Sequence, residues 1–385
     1  MAACTAAPEP KPDKNALDVK ITGVELFRID VNSRGPWLIV RLQTDAGVTG
    51  LGDASHSGKG DPAYAKVEEY VEFLKGRSVF DLEAFRAHAR AQHPEGKRAV
   101  SCALSGLEQA CYDIQGKLMG VPCWALFGGK LRDEVRNYAN INRATDVRTR
   151  KGSPRLPRAP SSRLRRRQDG LLRRDAQDGS RRDRGPYQAR GRLHQGRPRS
   201  PRPGPRPARR RTQQLRLQPW ARPVQTTRTA SPFWLEEVSR PLDVWAKLSA
   251  EAPMTTAGGE GLFGVKEFWP YLKADACDIM MPDVKYCGGM LELKKISAMS
   301  EAAGDHPVAP HGPSSPIGNM AAAHVCVTIP NFSILEFSHG DALEWRADMT
   351  IPPEPMGKGG MLRVPDTPGL GYELNEKVVR PRLVS

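Results

Sequence analysis

The chain has 385 residues, 39% of them hydrophobic, with a formal net charge of +15 at pH 7, which is enough length for two domains or one large α/β barrel with attachments. No apolar run approaches the length of a membrane-spanning helix, and the Ala/Pro/Lys-rich residues 1–20 lack the apolar core of a signal peptide, so the expectation is a soluble cytoplasmic protein. The seven cysteines are odd in number and lack metal-type pair spacing; those in apolar surroundings, such as Cys102, Cys111 and Cys326, read as buried reduced thiols.

In chain order, residues 21–30 and 37–44 are alternating β-branched runs separated by Asn-Ser-Arg-Gly-Pro, and they predict antiparallel strands opening an α+β domain. Helices follow over 62–75 and 100–119. The second repeats Leu104, Leu107, Cys111, Ile114 and Leu118 at helical spacing and stops at Gly120, with Pro122 just beyond. Leu126-Phe127-Gly128-Gly129 then turns the chain into a strand over 135–140.

From Arg150 to Ser231 the character changes. Residues 150–228 hold 24 Arg and one Lys against four Asp, with no Glu, Ile, Phe, Met or Cys. That surplus of 21 positive charges exceeds the whole chain's +15, so everything outside the tract carries −6. Arg clusters such as Arg165–Arg167 and Arg209–Arg211 would neutralise phosphates, which makes a non-specific nucleic-acid-binding protein the alternative of another class. Against it, Tyr187 and Trp220 are the tract's only aromatics for stacking, and it has no recognisable binding fold.

After the tract, short apolar segments at 233–237, 254–260, 278–284, 307–312 and 333–337 alternate with helical stretches near Val265, Leu291 and Ala321, the rhythm of a parallel (β/α) barrel. Each segment ends in or near a polar group: Glu236, Glu260, Asp283, His311 and Glu336, spaced by 24, 23, 28 and 25 residues. One β/α unit separates each from the next, so a barrel would gather all five at its C-terminal mouth. Glu236 and Glu260 are hard oxygen donors suited to Mg²⁺, with a third carboxylate expected from the preceding strand. Asp283 and His311 make a dyad for proton transfer, and Glu336 is placed to bond a substrate carboxylate or enolate oxygen. Singly, a Glu at a strand end is most often a solvated or capping group and a His most often structural; it is the shared register that carries the functional reading.

These residues resemble the enolase superfamily, and within it the mandelate racemase/muconate lactonizing enzyme-like subgroup. Ala103-Leu104-Ser105-Gly106-Leu107-Glu108-Gln109-Ala110 through Gly128-Gly129 is similar to the subgroup's capping-domain helix signature. Phe233-Trp234-Leu235-Glu236-Glu237 and Ala257-Gly258-Gly259-Glu260 resemble its metal-binding strands; Val238 departs from the family's usual Pro. Met281-Pro282-Asp283 with Gly288-Gly289, and Ala309-Pro310-His311, resemble the strands bearing the dyad, and Gly360 to Leu374 the C-terminal segment that returns to the cap. The resemblance implies a modified, β7α-like TIM-type barrel with an α+β capping domain: a disordered tail over 1–17, the cap over 18–135, the barrel over 136–345 interrupted by 150–231, and the returning segment over 346–385. It also implies Mg²⁺-assisted abstraction of the proton α to a carboxylate, on an acid sugar or other 2-hydroxy carboxylate, in a homo-oligomeric enzyme. Dehydration to a 2-keto-3-deoxy acid is the leading reaction, with a racemase or epimerase of the same subgroup as the alternative.

The family places a Lys-bearing motif on the second barrel strand and a metal-ligating Asp on the third, both of which would fall within the tract. Neither is present, which predicts an impaired catalyst and points to a reading-frame error in the gene. Shifting Leu164–Gln168 by one nucleotide permits Phe-Asp-Ala-Val-Lys, and the same shift over Arg209–Arg216 permits Val-Asp-Ala-His, with the missing Asp near Arg210.

Overall fold

Alternating apolar side chains at the start of the chain build the antiparallel pair they predict. The computed structural model describes residues 16–32, 35–56, 62–92, 98–140, 233–238, 241–338 and 344–384. In it, β1 (Ile21–Asn32) lies against β2 (Gly35–Thr44) with Leu26 opposite Val40 and Phe27 opposite Ile39. A third strand, β3 (Thr49–Asp53), pairs with the far side of β2. Its Thr-Gly-Leu-Gly-Asp sequence carries no apolar alternation, and its glycines have another purpose. A Cβ on Gly52 would lie 1.9 Å from the Gly106 carbonyl oxygen and one on Gly50 2.1 Å from that of Ala110, so only bare backbone lets helix α3 (Arg98–Met119) rest directly on the strand.

Helix α3 is buried on every side from Val100 to Gly116, not on one face as its periodicity implies, because it lies between the sheet and the second half of the chain. Its polar side chains are satisfied there. Asp113 Oδ2 accepts the Leu51 N–H at 2.9 Å and Gln109 Oε1 the Asp53 N–H at 3.0 Å, which seals the exposed edge of β3. The helix stops where expected, with Gly120 at φ 65° and Val121 N–H donating to the Gly116 carbonyl at 2.9 Å. Helix α1 (Pro62–Leu74) matches its prediction, whereas α2 (Leu82–Gln92) was not foreseen: among its Ala, Arg and His residues only Leu82, Phe85 and Ala89 are buried apolar positions.

Beyond α3 the strands up to residue 337 pair in parallel, whereas in the C-terminal segment Met361–Arg363 lies antiparallel to residues 134–136 and Glu373–Leu374 antiparallel to Thr350–Ile351. β4 (Glu134–Ala139) pairs with β8 (Leu335–Phe337), while β5 (Leu235–Glu236), β6 (Thr256–Gly258) and β7 (Ile279–Met280) form a second parallel ladder. The bridges Met280↔Val308 and Val308↔Phe332 join the two, and Glu336 N–H donates to the Pro310 carbonyl at 3.0 Å. The result is one parallel arc running β4, β8, residues 308–310, β7, β6, β5. All five segments predicted after the tract lie in it, although their ladders span two or three residues and Val308 is joined by one bridge on each side. Helices α4 (Leu242–Glu251, also unforeseen), α5 (Gly264–Lys273), α6 (Met290–Gly304) and α7 (Pro316–Cys326) alternate with the strands. Inside the arc Ala257, Ile279, Met281, Ala309 and Ile334 pack with Tyr138 and Trp234 into an apolar floor beneath the strand ends.

A buried charge cluster ties the N-terminal helices to this arc. Arg86 of α2 bridges Glu108 of α3 and Glu292 of α6, and donates to the Gly288 carbonyl at 3.0 Å; Arg90 joins Glu292 at 2.7 Å. Burial lifts Glu108 to a pKa of about 7, against the pull of Arg86. The six described cysteines are free and buried, and no helix among the described residues is long and apolar enough to cross a membrane. Residues 1–15 of the predicted tail, the Arg-rich tract and the position near Arg210 lie outside the described residues, while Ala16–Asp18, at the end of the predicted tail, form a short 3-10 helix.

Candidate active site

The parallel strands deliver their terminal residues to one end of the arc. Glu236 closes β5, where Trp234 Nε1–H donates to its carboxylate at 2.9 Å. The next residue, Glu237, takes a left-handed φ of 49° and turns away, its carboxylate accepting the Gly259 N–H at 2.8 Å. The Glu-Glu pair is thereby divided, one carboxylate facing the site and the other bracing β6. Glu260 follows β6 through Gly259, whose φ of 101° suits glycine. Asp283 lies just past β7, Glu336 within β8 and His311 just past the 308–310 segment.

Four of these five predicted residues meet directly. His311 Nδ1 is 2.7 Å from Asp283 Oδ2, and its Nε2 is 3.1 Å from Glu260 Oε2 and 3.5 Å from Glu336 Oε2. Glu236 stands at the rim, coupled through space to Glu336, His311 and Glu260. Burial works to lower the His311 pKa, but Glu336, Asp283 and Glu260 together outweigh it and raise the imidazole to about 9. Burial likewise opposes ionisation of Asp283, yet Lys285 and His311 hold its carboxyl below the ordinary range. An ionised Asp283 accepts a hydrogen bond from Nδ1–H, which leaves Nε2 as the nitrogen that exchanges protons with whatever lies in the cleft.

Glu236 and Glu260 are both pushed up. Each keeps some contact with solvent, but the sides facing the cluster are stripped of water and neighbouring carboxylates add to the effect. Carboxylates at adjacent strand ends, one exposed at the rim and one partly buried, form a hard-oxygen donor pair that fits Mg²⁺ in kind. Among the described residues no third His, Cys, Asp or Glu completes a metal-holding group with them.

Three further residues join the site that the sequence reading did not name. Tyr138 of β4 stands opposite Glu336 in register and packs edge-on against Trp234 at 5.2 Å; burial, then the Glu336 charge, pushes its phenol well up. Asn140 Nδ2 donates to Glu336 Oε1 at 2.5 Å. Lys285 is buried beside Asp283, which keeps it charged against the cost of burial. Tyr138 and Asn140 obey the same strand-end rule as the others, and Lys285 lies two residues past Asp283; position alone could have found them.

Comparison with known proteins agrees with this layout. Residues 24–128 match the family described as "Mandelate racemase / muconate lactonizing enzyme, N-terminal domain", and residues 216–378, which contain all five predicted site residues, match "Enolase C-terminal domain-like". A D-xylonate dehydratase of Haloferax volcanii is 30% identical over 97% of this chain and 91% of its own length. A D-galactonate dehydratase of Ralstonia pickettii is 28% identical over 94% of both chains. Among solved structures, a mandelate racemase/muconate lactonizing enzyme-like protein of Rubrobacter xylanophilus superposes with a TM-score of 0.73 at 27% identity, covering 96% of this chain and 98% of that one. The chain therefore belongs to the mandelate racemase/muconate lactonizing enzyme family of the enolase superfamily, whose fold joins an N-terminal capping domain to a C-terminal barrel.

Proposed function

We propose that this chain is a hydro-lyase of the acid-sugar dehydratase type, converting a sugar acid to its 2-keto-3-deoxy product as a soluble, cytoplasmic homo-oligomer. The observation that carries the reading is the His311–Asp283 pair at 2.7 Å, with Nε2 turned toward Glu260 and Glu336. The names of the two dehydratase relatives support dehydration over racemisation.

In this mechanism the C2–H bond breaks, its proton passing to Nε2 of the neutral His311 imidazole and its electrons into an enediolate. The C3–O bond then breaks, and the departing hydroxide takes that proton back from Nε2 and leaves as water. Tautomerisation of the enol gives the 2-keto acid. Nε2 of His311 is the proton carrier, Asp283 fixes its tautomer, and Glu336, braced by Asn140, meets the substrate's carboxylate end through a proton that the two carboxyl groups share. Mg²⁺ held by Glu236, Glu260 and a third carboxylate would supply the positive charge that stabilises the enediolate oxygens.

The Arg-rich tract occupies the stretch where the family carries its lysine and its third metal ligand, and a shifted reading frame accounts for its composition. We expect the chain as written to turn over slowly or not at all, and the same chain with residues 150–231 restored to the shifted frame to form 2-keto acid in Mg²⁺ from a panel that includes D-xylonate and D-galactonate. A restored protein that dehydrates no member of the panel overturns the assignment, and a gene sequence with neither shifted peptide overturns the frame reading.

A further inference from the structure

The loop that carries His311 is held residue by residue. Asp283 takes His311; Gly312 N–H donates to Glu336 Oε2 at 3.1 Å; Lys285 Nζ donates to the Pro313 carbonyl at 3.2 Å; and Arg346 Nη1 donates to the Ser314 carbonyl at 2.9 Å. Ser315 gives both its N–H, at 3.0 Å, and its hydroxyl, at 2.6 Å, to Asp53 Oδ2. All five charged partners are buried. Four of them come from the strand ends or the C-terminal segment. Asp53 alone comes from the N-terminal sheet, at the end of β3.

Asp53 is fully buried, and its other oxygen accepts the Ser55 N–H at 2.8 Å. It sits so tightly against α7 that a Cβ on Gly318 would lie 2.6 Å from Oδ2. Burying a carboxylate is costly unless its hydrogen bonds are complete, so a charged group at this place has a specific task. Capping α7 is not that task, because Ser315 already caps the helix with its own side chain, which accepts from Gly318 N–H at 3.4 Å. What Asp53 adds is an anchor at the end of the loop. Ser314 N–H closes a tight turn onto the Gly312 carbonyl at 2.7 Å, so a displacement at Ser315 passes to His311 rather than being absorbed between them.

We infer that Asp53 is a positioning residue for His311: it reaches from the N-terminal sheet to the His311–Ser315 loop and sets the imidazole in place only when that sheet is seated on α7. The inference rests on the reading of His311 as the proton carrier. It is tested in the full-length chain with Asp53→Asn, which keeps the size but replaces one acceptor by a donor, and with Ser315→Ala, which removes one donor and leaves Asp53 intact. Amide hydrogen exchange over residues 311–319 should accelerate roughly tenfold or more in Asp53→Asn and less in Ser315→Ala, while amides of β1, β2 and α6 keep their rates. In the frame-restored enzyme kcat should fall on the order of 10–100-fold with KM little changed, since a displaced proton-transfer group acts on the chemical step. Unchanged exchange in 311–319, or acceleration spread through the whole N-terminal sheet, overturns the positioning role, as does unchanged kcat beside a loosened loop. If Asp53→Asn does not fold, Ser315→Ala decides by the same readouts. If the parent turns over no acid sugar, the dehydratase reading falls by itself, and the exchange measurement still decides whether Asp53 anchors the loop.

Discussion

Lowering the pH should destabilise this fold through one histidine remote from the site. His324 of α7 is fully buried between two backbone partners: Trp124 N–H donates to its Nδ1 at 3.2 Å, and its Nε2 faces the Leu370 carbonyl at 3.2 Å. The neutral Nε2–H tautomer satisfies both. A second proton has no place to go, because Nδ1–H would point at an N–H donor. Burial, with Lys130 adding to it, lowers the pKa from 6.5 to about 4 despite the favourable Leu370 contact. Below pH 6.5 the unfolded chain takes up this proton and the folded one does not, so stability falls as the pH drops and levels off below about 4. Linkage puts the loss at about 2 kcal/mol by pH 5 and about 3 kcal/mol by pH 4. His324→Asn keeps an acceptor for Trp124 but cannot titrate. Urea unfolding followed by circular dichroism at pH 7 and pH 5 should show the parent losing about 2 kcal/mol more than the variant. Equal losses would refute the reasoning, because they would mean that folded His324 accepts its proton freely.

His311→Asn should lower turnover of the frame-restored enzyme about 10²–10⁴-fold with an unchanged far-ultraviolet spectrum. Glu260→Gln should weaken Mg²⁺ binding in that protein at least roughly tenfold by titration calorimetry, and an unaltered affinity would remove Glu260 from the donor set. Arg86→Met strips Glu108 and Glu292 of their buried cation and should cost about 3–5 kcal/mol in chemical unfolding; a loss under about 1 kcal/mol would show that the cluster is not held as described.

Elements with a strong local period were legible in the sequence. The β1–β2 pair alternates, and α3 combines a helical repeat with a glycine stop. β3 was not legible, because its side chains are removed to admit a helix; nor was α2, whose few apolar residues matter only once α1 and α3 are beside it. The true environment of α3 was equally hidden: a periodic stripe does not tell that Glu108, Gln109 and Asp113 on the other faces will also be buried. In the site, regular spacing exposed Glu236, Glu260, Asp283, His311 and Glu336, since each strand–helix unit adds a similar length of chain. Tyr138 and Asn140 escaped because their strand precedes the tract and lies outside the regular spacing of the five segments that follow it. Asp53 escaped because nothing in a short Gly-rich strand signals that its last residue reaches a loop some 260 positions away.

The Arg86 cluster also imposes an order on biosynthesis. Arg86 and Glu108 leave the ribosome within 22 residues of each other, but Glu292, the second buried carboxylate that Arg86 bridges, follows it by 206. During that interval Arg86 has Glu108 and the more distant, exposed Glu83 but not Glu292, and one side of α3 stays in water, so a fragment ending before Glu292 exposes surface that the finished chain conceals. Completion of α6 thus closes the buried charge cluster, and truncations short of it leave that surface open to chaperones or aggregation.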